Sequence, residues 1–342
     1  MKILFVGYHN PKFIALPEYF ENAIVNLGHE LVSFDDRKFI FPGRVRGKIN
    51  VLQKWELDRI NSNLLKLVLH KKPDICLVNS VGRIKVEIIQ KIKQLGVRTA
   101  YLTTDFPWDS DVLVQEALNY EFVFYGGTEI AQKFKQANIK KAFWLPFACD
   151  PDLHKPVELS SEEKKQYSAD IAFVGSIYPK LYSNRLIILE GISDFNIKVW
   201  GPGADTVSAN SPLKKKIMGN DTKPGQWQKI YSAVKIGVCI HFEDHLKKIP
   251  CYQASPRIYE LLSCKCFTLV DNQVDVSKLF EDGKHLVIFK SIPDLREKIN
   301  YYLAHPEKRK IIAEQGFNEV INNHTYQHRI KKIIAIIRGD NQ

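Results

Sequence analysis

The chain has 342 residues, enough for two ordinary domains, and at 45% hydrophobic and 25% charged it excludes a disordered or low-complexity protein. Lys and Arg outnumber Asp and Glu 49 to 38, a formal net charge of +11 that favours anionic partners. The excess is spread over both halves (21 cations against 16 acids in residues 1–150), which argues against a nucleic-acid-binding tail. No apolar run approaches the ~18–20 residues of a membrane-spanning helix. Met1-Lys2 leads straight into Ile3-Leu4-Phe5-Val6-Gly7, too short for a signal-peptide core. The six cysteines fall mostly within apolar runs, which suits free thiols in a reducing compartment, and Cys264-x-Cys266 lacks the spacing of a metal or redox pair. These features predict a cytoplasmic, two-domain protein.

Lys2 to Gly7 reads as a buried first strand, and an amphipathic helix from Pro17 to Leu27 follows, stopped by Gly28. Glu30 to Asp36 reads as the next strand. Helical periodicity from about Ile49 to His70 precedes a strand at Ile75 to Val78. A helix near Lys85 to Leu95 then precedes a strand at Arg98 to Leu102. Shorter units follow at Phe122 to Tyr125, Ile130 to Ala137 and Ala142 to Leu145. Alternation of this kind predicts a parallel sheet with helices on both faces.

Between Pro146 and Ala169 three prolines and the polar run Ser160 to Lys165 predict an interdomain linker. A second series of strands then begins at Ile171 to Val174. It continues at Ile197 to Trp200, Ile236 to Ile240, Phe267 to Val270 and Leu286 to Phe289, before a basic helical tail from Pro306 to about Arg338. The domains expected are 1–150, 151–323, and a terminal helix over 324–342.

Open parallel sheets bind ligands beyond the carboxyl ends of their strands, so candidate residues are sought there. Gly175 and Ser176, with Lys180 and Arg185 following, can offer backbone N–H groups, a hydroxyl and positive charge to a phosphate; an ordinary strand-to-helix turn would look the same. Gly201-Pro202-Gly203 has Thr206 where a dinucleotide fingerprint needs its third Gly, so it reads as a turn. Ser255 reads as a helix cap with Pro256 at the first helical position. Arg257 and Glu260 then share one face near the positive helix end, suiting a diphosphate and ribose hydroxyls, or simply an intrahelical ion pair. In the first half, Asp105 and Asp109 lie beside aromatics after a strand and could take a proton from an acceptor hydroxyl; Asp109 could equally cap the helix near Ser110. His9, after the first strand, is the third acid–base candidate. Residues 37–48 hold five cations, two phenylalanines and no acid, and read as a patch for an anionic acceptor or membrane surface, or as a solvated loop.

Taken in order, several of these pieces resemble the CgeB-like (spore maturation type) branch of the group 1 glycosyltransferases. They are Ile171 to Ser176, Ser255-Pro256-Arg257-x-x-Glu260 with the run Leu261 to Asp271, Leu279 to Lys284, His305 to Arg309 and His324-Thr325-Tyr326-x-His328-Arg329. Leu145 to Pro156 resembles the interdomain stretch. The match is dense over about 145–330 and looser before it. The resemblance implies a GT-B fold, two Rossmann-like doubly wound α/β domains facing a cleft, with a metal-independent transfer of sugar from a nucleotide diphosphate-sugar. Acceptors would be a glycan, lipid-linked glycan, protein or small hydroxyl compound, with no other cofactor and no nucleic acid. It also implies that the terminal helix crosses back onto the first domain. The composition of residues 37–48, rather than the resemblance, gives the expectation of peripheral contact with an anionic membrane at its inner face. By position, Glu260 would hold the ribose, with Arg257, Ser176 and Lys180 at the diphosphate, Gly175 allowing close backbone approach and Ser255 also among the donor-binding residues. Tyr252 stands where many group 1 retaining enzymes carry Glu, which leaves inversion and retention both open. Inversion would need a base among Asp105, Asp109 and His9; retention would leave them to position the acceptor. A nucleotide-sugar epimerase or hydrolase of the same fold, or a non-catalytic binding module, are the competing readings.

Overall fold

The computed structural model describes residues 1–11, 14–104, 109–223, 225–244 and 250–340, arranged as two compact units. The first comprises Met1–Pro146 together with the chain from Tyr326 on; the second is Phe147–Thr325.

The first unit is built on six parallel strands: β1 (Lys2–Gly7), β2 (Glu30–Asp35), β3 (Ile75–Asn79), β4 (Arg98–Thr103), β5 (Phe122–Tyr125) and β6 (Ala142–Trp144), in the order β2-β1-β3-β4-β5-β6. The inner strands are apolar on both faces because both are covered. Leu4, Val6 and Val78 pack with Leu64 and Val68 of the helix Asn50–Lys71 and with Ile89 and Ile92 of the helix Val86–Gln94. Phe5, on the alternate face, stacks on Phe20 of the helix Leu16–Asn26 with ring centroids 5.8 Å apart.

The basic tail is two helices, with the break at the boundary expected for the terminal helix. The first, Pro306–Asn323, ends where Cys149 N–H donates to His324 C=O at 2.9 Å, a backbone bond that a continuous helix would exclude. The second, Tyr326–Arg338, packs in the first unit. Its Tyr326 ring lies 5.3 Å from Tyr19 and 5.0 Å from Phe20, and the buried Arg329 Nε donates to Pro146 C=O at 2.8 Å.

The second unit holds β7 (Ile171–Val174), β8 (Ile197–Trp200), β9 (Ile217–Gly219), β10 (Ile236–Cys239), β11 (Thr268–Asp271) and β12 (Val287–Phe289), all parallel, in the order β12-β11-β10-β7-β8-β9. The run Ser160 to Lys165, read as linker, is instead the start of the helix Ser161–Tyr167. The reason is local: Ser160 Oγ accepts from Glu163 N–H at 3.2 Å while the Glu163 carboxylate accepts from Ser160 N–H at 3.0 Å, a reciprocal cap. Lys229 then pins Glu163 at 2.5 Å. Among the described residues no helix is long and apolar enough to cross a membrane.

Candidate functional site

In the second sheet, β8 and β9 extend from β7 on one side, and β10 to β12 extend on the other, so the strand order reverses between β7 and β10. Such a switch point leaves a crevice beyond the strand ends. Arg185 spans it, donating from Nε to Ile240 C=O at 2.8 Å and from Nη1 to Ser176 C=O at 3.0 Å, with its guanidinium 4.1 Å from the Tyr182 ring. The cation grouped with the Gly-Ser turn is therefore a brace for that turn.

The loops after β7 and β8 are locked together. Ile177 N–H donates to Pro202 C=O at 2.8 Å, and Gly175 N–H to Trp200 C=O at 2.9 Å. A Cβ on Gly201 would stand 2.0 Å from Gly175 C=O, and Gly201 itself has φ +148°, so only glycine fits. Ser176 Oγ and the exposed Lys180 ammonium have no hydrogen-bond or ion-pair partner among the described residues.

Beyond β10 and β11 a second group forms. The register Cys239↔Val270 brings His241 and Asp271 to adjacent strand ends. There Asp271 accepts from His241 Nδ1 at 2.6 Å and from His241 N–H at 3.0 Å, while His241 Nε2 accepts from Ser255 N–H at 2.9 Å. This arrangement sets the imidazole tautomer and fixes the entry of the helix Pro256–Ser263. Ser255 Oγ caps the helix by accepting from Arg257 N–H at 3.2 Å, and Ile258, Leu261 and Leu262 bury its apolar face. Arg257 Nη1 meets Glu260 Oε2 at 2.5 Å, the guanidinium 30% exposed and the carboxylate 13%. Burial opposes the Arg257 charge, but Glu260, with Tyr231 and Cys239, more than offsets it and raises its proton affinity. The intrahelical pair is thus made, with Arg257 in the first turn, where unbonded helix N–H groups carry positive potential, and Glu260 one turn further on.

His154 also belongs to this neighbourhood. It is buried, accepts from Asp150 N–H through Nδ1 at 2.9 Å, and packs edge-on to Trp227 at 5.1 Å. Burial lowers its proton affinity, against the pull of Glu260 and Asp150. A separate cleft of about 610 Å³, lined in part by Asn184, Asp271, Gln273 and Lys290, opens at the ends of β11 and β12; Arg257 and Glu260 do not line it.

Of the first-unit candidates, Asp105 lies outside the described residues. Asp109 caps the helix Ser110–Ala117, accepting from Val112 N–H at 3.1 Å. His9 Nε2 meets Glu21 Oε1 at 3.0 Å and Ser33 Oγ at 3.3 Å, with its side chain 23% exposed.

Residues 185–335 match the family model described as Glycosyl transferase-like. The chain is 19% identical over 276 residues to the spore protein CgeB of Bacillus subtilis strain 168, covering 78% of this chain and 83% of that one. In fold it is similar to the sucrose-phosphate synthase of Thermosynechococcus elongatus, with TM-score 0.72 at 9% identity over 99% of this chain and 98% of that one. It is likewise similar to Anabaena HepE in complex with UDP, with TM-score 0.66 at 11% identity over 99% and 100%. The chain has the GT-B fold, with a glycosyl transferase-like domain matched over residues 185–335.

His241, Asp271 and His154 were not among the residues singled out from sequence. His241 and Asp271 each end or follow a strand, which was the available signal, but their pairing requires the β10–β11 register. Tyr252, at the position noted above, is 37% exposed and accepts from Asp275 N–H through its carbonyl at 3.0 Å. Among the described residues no cluster of three or more His, Cys, Asp or Glu side chains could hold a metal ion.

Asp271 supplies a pH prediction. Burial works against its charge, but the His241 imidazole and backbone N–H outweigh it and hold the carboxyl below its usual range. A depressed carboxyl contributes stability above its unfolded pKa and loses it as the pH falls through the folded value. Asp271→Asn is therefore expected to cost about 2 kcal/mol at pH 7. In urea unfolding series the gap to wild type should close below roughly pH 4, the unfolded carboxyl range. A gap that stayed constant down to the acid transition would remove the charge from the explanation.

Proposed function

We propose that the protein transfers a hexosyl group from a UDP-sugar to a hydroxyl of a glycan, lipid-linked glycan, protein or small molecule, without a resident metal or other cofactor. The observation that carries this reading is the Arg257–Glu260 pair at the N-terminal end of the helix Pro256–Ser263, beside the switch-point crevice. As the bond from the sugar's anomeric carbon to the diphosphate breaks, negative charge accumulates on the departing phosphate oxygens. Arg257 and the helix N–H groups meet that charge, with Lys180 and Ser176 from the turn after β7. Glu260 accepts hydrogen bonds from the ribose hydroxyls, and its pairing with Arg257 keeps the two groups oriented for adjacent parts of one nucleotide. Gly175 lets the backbone approach the diphosphate. UDP is favoured as the nucleotide because HepE, of similar fold, is described in complex with it. In the first unit, His9 is the acid–base candidate, its imidazole oriented by Glu21 and partly open to solvent.

The test is a thermal-shift panel of UDP, GDP, TDP, CMP and NADH on the wild type and on Arg257→Ala. A ligand that binds the native state alone raises stability by about 2.7 kcal/mol at a hundred times its Kd. UDP should raise the melting temperature of the wild type and not of the variant. A response to NADH alone, or an undiminished UDP response in the variant, would remove the donor-site assignment.

A further inference from the structure

The segment leaving the carboxyl end of β2 is an exposed platform of apolar and cationic side chains. Ile40, Phe41, Val45, Ile49, Val51 and Trp55 are all exposed, Val51 at 80% and Ile40 at 60%. Arg44, Lys48 and Lys54 are exposed among them, and no carboxylate occurs between Arg37 and Trp55. A solvated loop would not need so many large apolar groups, and a floppy one would not need the anchor found beneath it. Glu56, fully buried on the helix Asn50–Lys71, accepts from the backbone N–H groups of Ile40 and Phe41 at 2.7 and 2.8 Å. Burial opposes its charge, yet those N–H groups and Arg59 lower its pKa, so the anchor is an ionised carboxylate. Arg59 Nη2 adds a bond to Lys38 C=O at 2.5 Å, Arg46 lies 3.3 Å above the Phe39 ring, and Phe41 meets Trp55 edge-on at 6.4 Å. The chain thus devotes a buried ion pair to holding apolar side chains in water.

We propose that this platform docks the protein on an anionic lipid bilayer surface, with the apolar side chains entering the headgroup–acyl boundary and the cations resting against lipid phosphates. Charge complementarity selects this occupant. The core of a protein–protein interface is depleted of lysine, whereas lysine and arginine beside tryptophan and aliphatic groups match the bilayer interface. Single-stranded nucleic acid would use aromatic faces for stacking, but Ile40, Val45, Ile49 and Val51 offer none. Tyr8 and His9 emerge at the same sheet edge, after β1, so docking brings the membrane to that edge of the first unit. This inference does not rest on the identity of the donor.

The experiment is flotation of the purified full chain with vesicles of phosphatidylcholine alone or mixed with phosphatidylglycerol. Two double variants accompany it, Arg44→Glu with Lys48→Glu and Ile40→Ser with Val51→Ser. All four positions are exposed, and the melting temperature and UDP response of each variant check that fold and donor site are intact. Wild type should float with the mixed vesicles and not with phosphatidylcholine, and added salt should release it. Each variant should lose roughly tenfold or more in partitioning, the first through charge and the second through apolar burial. Absence of wild-type flotation, or flotation unchanged in both properly folded variants, overturns the proposal. So does self-association, or oligonucleotide binding, that both variants abolish while vesicles are ignored.

Discussion

Arg257→Ala is expected to lower kcat by roughly 10²–10³-fold, the loss seen when one preorganised group facing transition-state charge is removed. The proposed role of Arg257 grows as the diphosphate departs, so kcat should fall more than KM rises. Arg257→Lys should recover the charge but not the planar fork that meets both Glu260 and a phosphate, leaving activity well below wild type. The stability of the alanine variant must be measured alongside, because Glu260 is 13% exposed and loses its partner. A variant that folds normally, binds UDP and turns over donor at the wild-type rate would move the leaving-group chemistry elsewhere. The reaction should be followed as UDP release with and without acceptor, which also separates transfer from donor hydrolysis.

Gly201→Ala should have the largest effect on stability. Its Cβ would meet Gly175 C=O at 2.0 Å, and backbone cannot move aside as a flexible side-chain end can. The positive φ adds conformational strain. Overpacking and strain together are worth about 3–5 kcal/mol. For a unit of this size that is roughly 6–20 °C in melting temperature. Gly283 provides the comparison within the same unit: its φ is +76°, but nothing lies within 4 Å of the Cβ position. Gly283→Ala should cost only about 1 kcal/mol, the conformational part alone. Calorimetry on the two variants reads the difference, and equal melting temperatures would mean that the loops after β7 and β8 are not locked as described. Any Gly201→Ala protein that folds should also bind UDP more weakly, since Gly175 would be displaced with the turn.

Much of the architecture was legible because its causes are local. Parallel strands covered on both faces must be short apolar runs, and each run read from the sequence agrees with an observed strand. The strand not read was β9, a three-residue strand whose neighbours Lys216 and Asn220 are polar and which offers no periodicity to detect. The helix Ser161–Tyr167 escaped for a different reason. Its signal, Ser160-x-x-Glu163, is a capping pattern, and the prolines around it outweighed that pattern in the reading.

At the site, Ser255, Pro256, Arg257 and Glu260 lie within six consecutive residues at a helix start, so the spacing already places Arg257 and Glu260 on one face near the positive helix end. Asp109 as a helix cap is legible for the same reason. His241 and Asp271 are 30 positions apart, and only the pairing of β10 with β11 makes them a hydrogen-bonded couple that seats Ser255. The Arg185 bridge between the ends of β7 and β10, the fit of Gly201 against Gly175, and the Glu56 anchor under Ile40 and Phe41 are likewise products of packing. Sequence by itself therefore determined the elements, their caps and the chemical character of each strand end, because those follow from periodicity and from bonds closed within a few residues. Which of these ends meet, and which cation braces a turn while another stands in the first turn of a helix, was decided by the tertiary structure, since sheet order and register alone bring residues distant in the chain within hydrogen-bonding reach.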